Sequence, residues 1–168
     1  NLETSRSFYP TICTTHTWDE RYQTCLNVKE AGLKLVCGGI FGMGETQDDR
    51  ISMLEAINSL DPMNVPLNFF HPNEALPIVK NTINIEEAFE LISIARKMIP
   101  NAHKIMIGGG RELMFGNRQY EVFDKGANAI ILGDYLTTLG KRPKDDILEL
   151  ESLGYKIAKN FHLMPDEK

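Results

Sequence analysis

Apolar runs that end in glycine and give way to a helix start constrain this chain more than any other feature. Leu33 to Phe41 is nearly continuous in apolar residues and passes through Gly38–Gly39 into Gly42-x-Gly44–Glu45–Thr46. A run of this kind suits a strand buried on both faces. The pattern recurs over Asn64 to Phe70, where Pro66 is a weak point. It recurs again over Lys104 to Ile107, which leads into Gly108–Gly109–Gly110, and over Ala127 to Leu132, which ends at Gly133–Asp134.

Helix signals separate these runs. Thr17-x-x-Glu20 is a capping box, opening a helix that runs to Ala31 and stops at Gly32. Thr46 caps the next, where Ile51, Leu54, Ile57 and Leu60 share one face. Asn84 caps a helix through Lys97 that carries Ala88, Leu91, Ile92 and Ala95. A short helix is expected over Asn117 to Asp124, with Gly126 as its left-handed stop. A last helix is expected from about Lys144 to Ala158, with Gly154 as an interruption.

Alternation of helix and strand with no low-complexity linker gives a parallel sheet with helical crossovers. A chain of 168 residues normally makes one domain. With a strand stub at residues 1–3, the pattern matches the C-terminal half of an eight-strand (β/α)8 TIM-type barrel better than a complete open sheet. A small doubly wound domain is the alternative. In both folds the functional residues belong at the carboxyl ends of the strands. The polar opening Asn1–Leu2–Glu3–Thr4–Ser5 adds the expectation that the chain starts inside a strand, with one partial barrel over 1–168 and a preceding half missing.

Charge is mildly acidic, with 18 Lys+Arg against 23 Asp+Glu, and no basic run exceeds Lys141–Arg142. That balance argues against a nucleic-acid groove. No apolar stretch approaches membrane-spanning length, so a soluble cytoplasmic protein without a membrane partner is expected. Cys13, Cys25 and Cys37 are an odd set without C-x-x-C spacing. This speaks against a disulfide framework or a closed zinc site and for buried small hydrophobes.

The strand ends carry Asn1 and Glu3, Gly38 to Glu45, Asn68, Gly108 to Glu112 and Gly133 to Thr138, a set rich in amides, hydroxyls and glycines. Asn1 and Asn68 can both donate and accept, as a urea or amide ligand requires; Asn68 also reads as a satisfied core amide. Glu3 suits paired ribose hydroxyls. The glycines allow tight turns, and their spacing is not that of a phosphate loop. Thr137–Thr138 reads either as a carboxylate holder or as a simple cap. Arg21 stands in a first helical turn, where its charge opposes the dipole; this points to a ligand carboxylate or to a solvated arginine.

Several ordered blocks together resemble one family. They are Asn1–Leu2–Glu3–Thr4–Ser5; Thr14–Thr15–His16–Thr17; Glu20–Arg21; Ala31–Gly32–Leu33–Lys34; Gly38–Gly39–Ile40 with Gly42-x-Gly44–Glu45; Val65–Pro66–Leu67–Asn68; Gly109–Gly110–Arg111–Glu112; and Tyr135–Leu136–Thr137–Thr138. In this order they resemble the biotin synthases, radical S-adenosylmethionine enzymes on a (β/α)8 barrel that insert sulfur into dethiobiotin. The resemblance implies that Asn1 and Glu3 meet the ribose of S-adenosylmethionine, that Arg21 pairs with its carboxylate and that Ile40 packs on adenine. It implies that Asn1 and Asn68 bind the ureido ring of dethiobiotin and that Thr137 and Thr138 receive its carboxylate. It further implies a 4Fe–4S cluster, an auxiliary 2Fe–2S cluster, an electron donor such as flavodoxin or ferredoxin, and a homodimer.

The chain departs from the family in two ways. The C-x-x-x-C-x-x-C loop that ligates the 4Fe–4S cluster belongs to the amino-terminal half and is absent here. Many members also read Cys–Ser–Gly–Gly where this chain reads Val36–Cys37–Gly38–Gly39, and an arginine near the auxiliary cluster is replaced by Met106. A one-residue shift in a strand turns the side chain to the other face. Cys37 either reaches the cluster through a bulge or leaves it to other ligands. A sister radical enzyme with another substrate and a non-catalytic binding remnant are the alternatives.

Overall fold

The structure is a computed structural model describing residues 1–72, 75–78, 82–135 and 139–158. The chain divides into two units, Asn1–Ile130 and Ile131–Lys168.

The first unit holds one four-stranded parallel sheet: β1 (Gly39–Phe41), β2 (Asn64–Phe69), β3 (Lys104–Ile107) and β4 (Ala129–Ile130). Each strand lies beside its predecessor in the chain, in the order β1-β2-β3-β4. A doubly wound sheet would reverse its order at a switch point. This order is that of a barrel arc. Residues 1–3 extend it, since Glu3 bridges Gly39 in parallel and Leu2 N–H bonds Gly38 C=O at 2.9 Å.

Helices α1 (Trp18–Glu30), α2 (Gln47–Ser59) and α3 (Ile85–Met98) each start at a full capping box, from Thr17, Thr46 and Asn84 respectively. These boxes are local, needing only a side chain and a backbone N–H three residues apart. Gly32, at φ 73°, follows α1 as expected.

The first strand is shorter than Leu33 to Phe41. Leu33 is 64% exposed and Val36 is 44% exposed, and pairing before Gly39 is reduced to the bridge Val36↔Asn64. Pro66, which has no N–H to donate, interrupts the ladder between that bridge and β1. Gly38 is required beside it, since a Cβ there would lie 1.8 Å from the Pro66 carbonyl oxygen.

The helix expected over Asn117 to Asp124 lies earlier, as α4 (Arg111–Phe115), and a 3-10 turn at Gly116–Arg118 and further turns follow it. Its start is set by Gly110 at φ 81°, where a Cβ would meet the Phe69 carbonyl oxygen at 2.0 Å. Strand β4 covers two residues of the six expected.

Strand alternation sorts the sheet into two faces. Phe41, Val65, Leu67, Phe69, Ile105 and Ile107 are at most 2% exposed and pack with Leu54, Ile57, Phe89, Leu91 and Ile92 of α2 and α3. The other face carries Ile40, Asn64, Pro66, Asn68, Lys104 and Met106, which the strand register sets side by side.

Within the second unit, α5 (Pro143–Ser152) starts on a proline and ends before Gly154 at φ 87°. The helix stops at the interruption expected at Gly154 and does not continue to Ala158. No helix among the described residues is long and apolar enough to cross a membrane.

Candidate functional site

The carboxyl end of the sheet gathers most of the residues singled out from the sequence. Asn1 Oδ1 accepts from Gly38 N–H at 3.0 Å, and Ile40 N–H donates to the Glu3 carbonyl at 2.7 Å. Arg21 reaches the same place from the first turns of α1. Its Nη1 donates to the Asn1 carbonyl at 3.2 Å and to Glu3 Oε1 at 3.1 Å. Its Nε donates to the Tyr9 hydroxyl at 2.6 Å, and the guanidinium carbon stands 5.7 Å from that ring's centroid. Burial works to lower the Arg21 pKa, but the Tyr9 oxygen and the Glu3 carboxylate outweigh it and raise it. The arginine therefore stays charged beside a carboxylate, and both are only partly exposed.

Glu3 adopts φ 67°, a left-handed conformation that a non-glycine residue rarely occupies. It is held there by the Ile40 bond and by Arg21. Ile40 and Asn68 face each other in the register of β1 and β2. The Asn68 amide ties β1 to the glycine loop that follows β3. Its Nδ2 donates to Gly39 C=O at 3.1 Å and its Oδ1 accepts from Gly109 N–H at 2.8 Å. Those bonds hold the side chain still and leave one N–H and one lone pair.

The glycine loop after β1 is closed by its own glutamate. Glu45 accepts from the N–H groups of Gly42 and Met43, each at 2.8 Å, and pairs with Arg50 Nε at 2.8 Å. The pair is buried, with side-chain exposures of 1% and 8% for Glu45 and Arg50.

Cys37 does not join this group. It lies on the helix-covered face, fully buried, with its sulfur 3.7 Å from that of Cys25 in α1. Burial, reinforced by Cys25, pushes its thiol up to about 12. Thr137 and Thr138 lie outside the described residues. Among those described, no three His, Cys, Asp or Glu side chains are grouped to hold a metal ion.

Tyr9, the partner that fixes Arg21, escaped the sequence reading. Its only local mark is the following Pro10, which pre-sets a 3-10 turn over Tyr9–Thr11 and buries the tyrosine. The contact with Arg21 spans twelve positions and has no spacing signature.

Residues 66–156 match the Biotin and Thiamin Synthesis associated domain. Over 162 residues, or 96% of this chain, the sequence is 62% identical to the biotin synthase of Aliarcobacter butzleri and covers 57% of that protein. It is 56% identical to the biotin synthase of Sulfurimonas denitrificans over 158 residues, covering 94% of this chain and 56% of that one. The chain thus spans a little over half the length of these relatives. Among solved structures, methylornithine synthase matches with a TM-score of 0.74 over 94% of this chain and 51% of its own, at 23% identity. That is a likeness of fold, in keeping with part of a barrel. The domain match covers more than half of the sequence, and the chain belongs to the Biotin and Thiamin Synthesis associated domain family.

Proposed function

We propose that the protein containing this chain is a biotin synthase, a radical S-adenosylmethionine sulfurtransferase that converts dethiobiotin to biotin. The observation that carries this reading is the 62% identity to a biotin synthase across 96% of the chain. The grouping of Asn1, Glu3, Arg21, Ile40 and Asn68 at one end of the sheet supports it.

The residues suit S-adenosylmethionine. Arg21 is fixed through Nε and Nη1, which turns its remaining Nη2 into a carboxylate anchor. The strained φ of Glu3 presents a carboxylate where paired hydroxyls would be held. Arg21 would receive the methionyl carboxylate, Glu3 and Asn1 the ribose, and Ile40 the adenine. Asn1 and Asn68 would hold the ureido ring of dethiobiotin, with Thr137 and Thr138 at its carboxylate. When bound and reductively cleaved, S-adenosylmethionine supplies the 5′-deoxyadenosyl radical that takes hydrogen from dethiobiotin. The chain's own contribution would be orientation: the guanidinium of Arg21 and the amide of Asn68 are already held in place and would bind cofactor and substrate without further ordering.

The iron–sulfur clusters do not fit this chain. Its described residues offer no set of ligands for a 4Fe–4S cluster. Cys37 does not suit an auxiliary 2Fe–2S cluster either, because its side chain is fully buried on the helix-covered face against Cys25 of α1, opposite the face that carries Ile40, Asn68 and Met106. The reading extends to a cytoplasmic homodimer served by an electron donor such as flavodoxin or ferredoxin.

The test uses the full-length protein, reconstituted anaerobically with iron and sulfide and given dethiobiotin, S-adenosylmethionine and a reductant. Biotin formation is expected. If 5′-deoxyadenosine accumulates without biotin, the sulfur-insertion reading fails in favour of a sister radical enzyme; if neither forms, the radical reading fails.

A further inference from the structure

We propose that Cys25 and Cys37 are an oxidation site, at which a small peroxide joins the two thiols in a disulfide that draws α1, and Arg21 with it, away from its place at the strand ends. The disulfide rests on geometry alone. Its effect on binding rests on the reading of Arg21 as a carboxylate anchor.

Both cysteines are free thiols, and they are 5% and 0% exposed, respectively. The Cys25 thiol donates to the Cys37 sulfur at 3.7 Å. A disulfide holds its sulfurs about 2.05 Å apart, so closing the bond takes up roughly 1.7 Å. The strand side does not yield. Cys37 N–H donates to Asn64 C=O at 3.0 Å, and Gly38 next to it bonds Asn1 Oδ1 at 3.0 Å and Leu2 N–H at 2.9 Å. The helix side is held more lightly. Cys25 is the only buried residue of α1, whereas α2 buries four residues and α3 buries five.

Closure therefore draws in the helix. Arg21 precedes Cys25 by four positions, which puts the two on one face a turn apart. Its bonds to Asn1 C=O and Glu3 Oε1 are 3.2 and 3.1 Å long, at the outer end of the N–H···O range. A shift of an ångström breaks them and turns the guanidinium.

A site this closed admits a small oxidant such as hydrogen peroxide. One peroxide oxygen passes to the sulfur of Cys25, the more exposed of the two, giving a sulfenic acid and a first water. The Cys37 sulfur then attacks that sulfur. The S–O bond breaks, the S–S bond forms, and the hydroxyl leaves with the Cys37 proton as a second water. The thiols lose two electrons and the peroxide gains them. Burial makes Cys37 slow toward oxidant by itself, but contact with Cys25 makes its step intramolecular. A thiol reductant reverses the bond.

The experiment uses the full-length wild-type protein and its Cys25→Ala variant. Each is treated with hydrogen peroxide, denatured, blocked at its remaining thiols and digested with trypsin without reduction. In the wild type, peptides 22–29 and 35–50, each with one cysteine, should appear joined in the mass spectrum and separate on adding dithiothreitol. S-adenosylmethionine affinity is measured before oxidation, after it and after dithiothreitol. Oxidised wild type should bind about tenfold more weakly than Cys25→Ala treated in the same way, and dithiothreitol should remove the difference. Damage to an iron–sulfur cluster would strike both proteins alike and would not be reversed.

Recovery of Cys25 and Cys37 on separate, blocked peptides would overturn the proposal. Joined peptides with equal affinity in the two proteins would overturn the coupling to Arg21. Untreated wild type that does not bind S-adenosylmethionine would instead overturn the functional reading, and the peptide map would still decide the disulfide.

Discussion

Strand β2 carries two asparagines, four residues apart and on the same face, and the protein treats them in opposite ways. Asn68, at the carboxyl end, is 7% exposed and bonds the backbone of β1 and that of the glycine loop after β3. Asn64, at the amino end, is 1% exposed, and neither its Oδ1 nor its Nδ2 has a hydrogen-bond partner among the described residues. Residue type, face and burial are nearly the same, so the energetic difference comes from the surroundings. At Asn68 the neighbours are glycines, at positions 39 and 109, whose backbones come close enough to bond the amide. At Asn64 the register neighbours are Val36 and Lys104. A buried amide is thus a fastener at one end of the strand and a side chain without a partner among the described residues at the other.

Mutations around these two positions sharpen the contrast, and the largest effect lies between them on the opposite face. Leu67→Ala removes a fully buried side chain packed against the helices and should destabilise the protein by about 2–5 kcal/mol in chemical denaturation. Asn68→Ala leaves Gly39 C=O and Gly109 N–H without their partner and should cost about 1–3 kcal/mol in the same assay. On the proposed reading it should also weaken dethiobiotin binding, which isothermal titration on the full-length protein would detect. Asn64→Leu, by contrast, should be neutral or stabilising by roughly 1 kcal/mol, since it removes no bond and ends a desolvation penalty. A loss of stability comparable to that of Asn68→Ala would erase the distinction.

The smallest expected effect concerns pH. Asp49 accepts from Ser5, Thr46 and Ser7, and these bonds hold its carboxyl well below the ordinary carboxylate range. A depressed folded-state pKa stabilises fully above about pH 4, the unfolded value, and the contribution is lost as pH falls below it. Ser7→Ala should therefore flatten the acid limb of the stability profile and change little at neutral pH. Melting temperatures between pH 2.5 and 7 would show it.

What could be read from the sequence follows the range of the interactions involved. Thr17, Thr46 and Asn84 were legible as caps because each box closes within three residues. The barrel arc was legible because alternation forces parallel crossovers. The start of β1 was not, because it depends on Pro66 failing to donate from a strand some thirty residues on. The helix expected over Asn117 to Asp124 was misplaced because its true start is dictated by the close approach of Gly110 to Phe69. In the site, Arg21 was flagged by its awkward place on a helix, whereas Tyr9 shows its role only once the chain is folded.

The loop Gly42–Met43–Gly44–Glu45 presents two adjacent backbone N–H groups, the kind of concavity that in many proteins captures an anion. Here the concavity already contains one, the carboxylate of Glu45, locked by Arg50. A nucleotide's phosphate brought to this strand end would have to expel a buried, neutralised carboxylate or sit against its charge. The loop is in that sense a built-in competitor. On the proposed reading, in which adenine packs on Ile40, this arrangement would disfavour a phosphorylated adenosine and would not penalise an uncharged nucleoside.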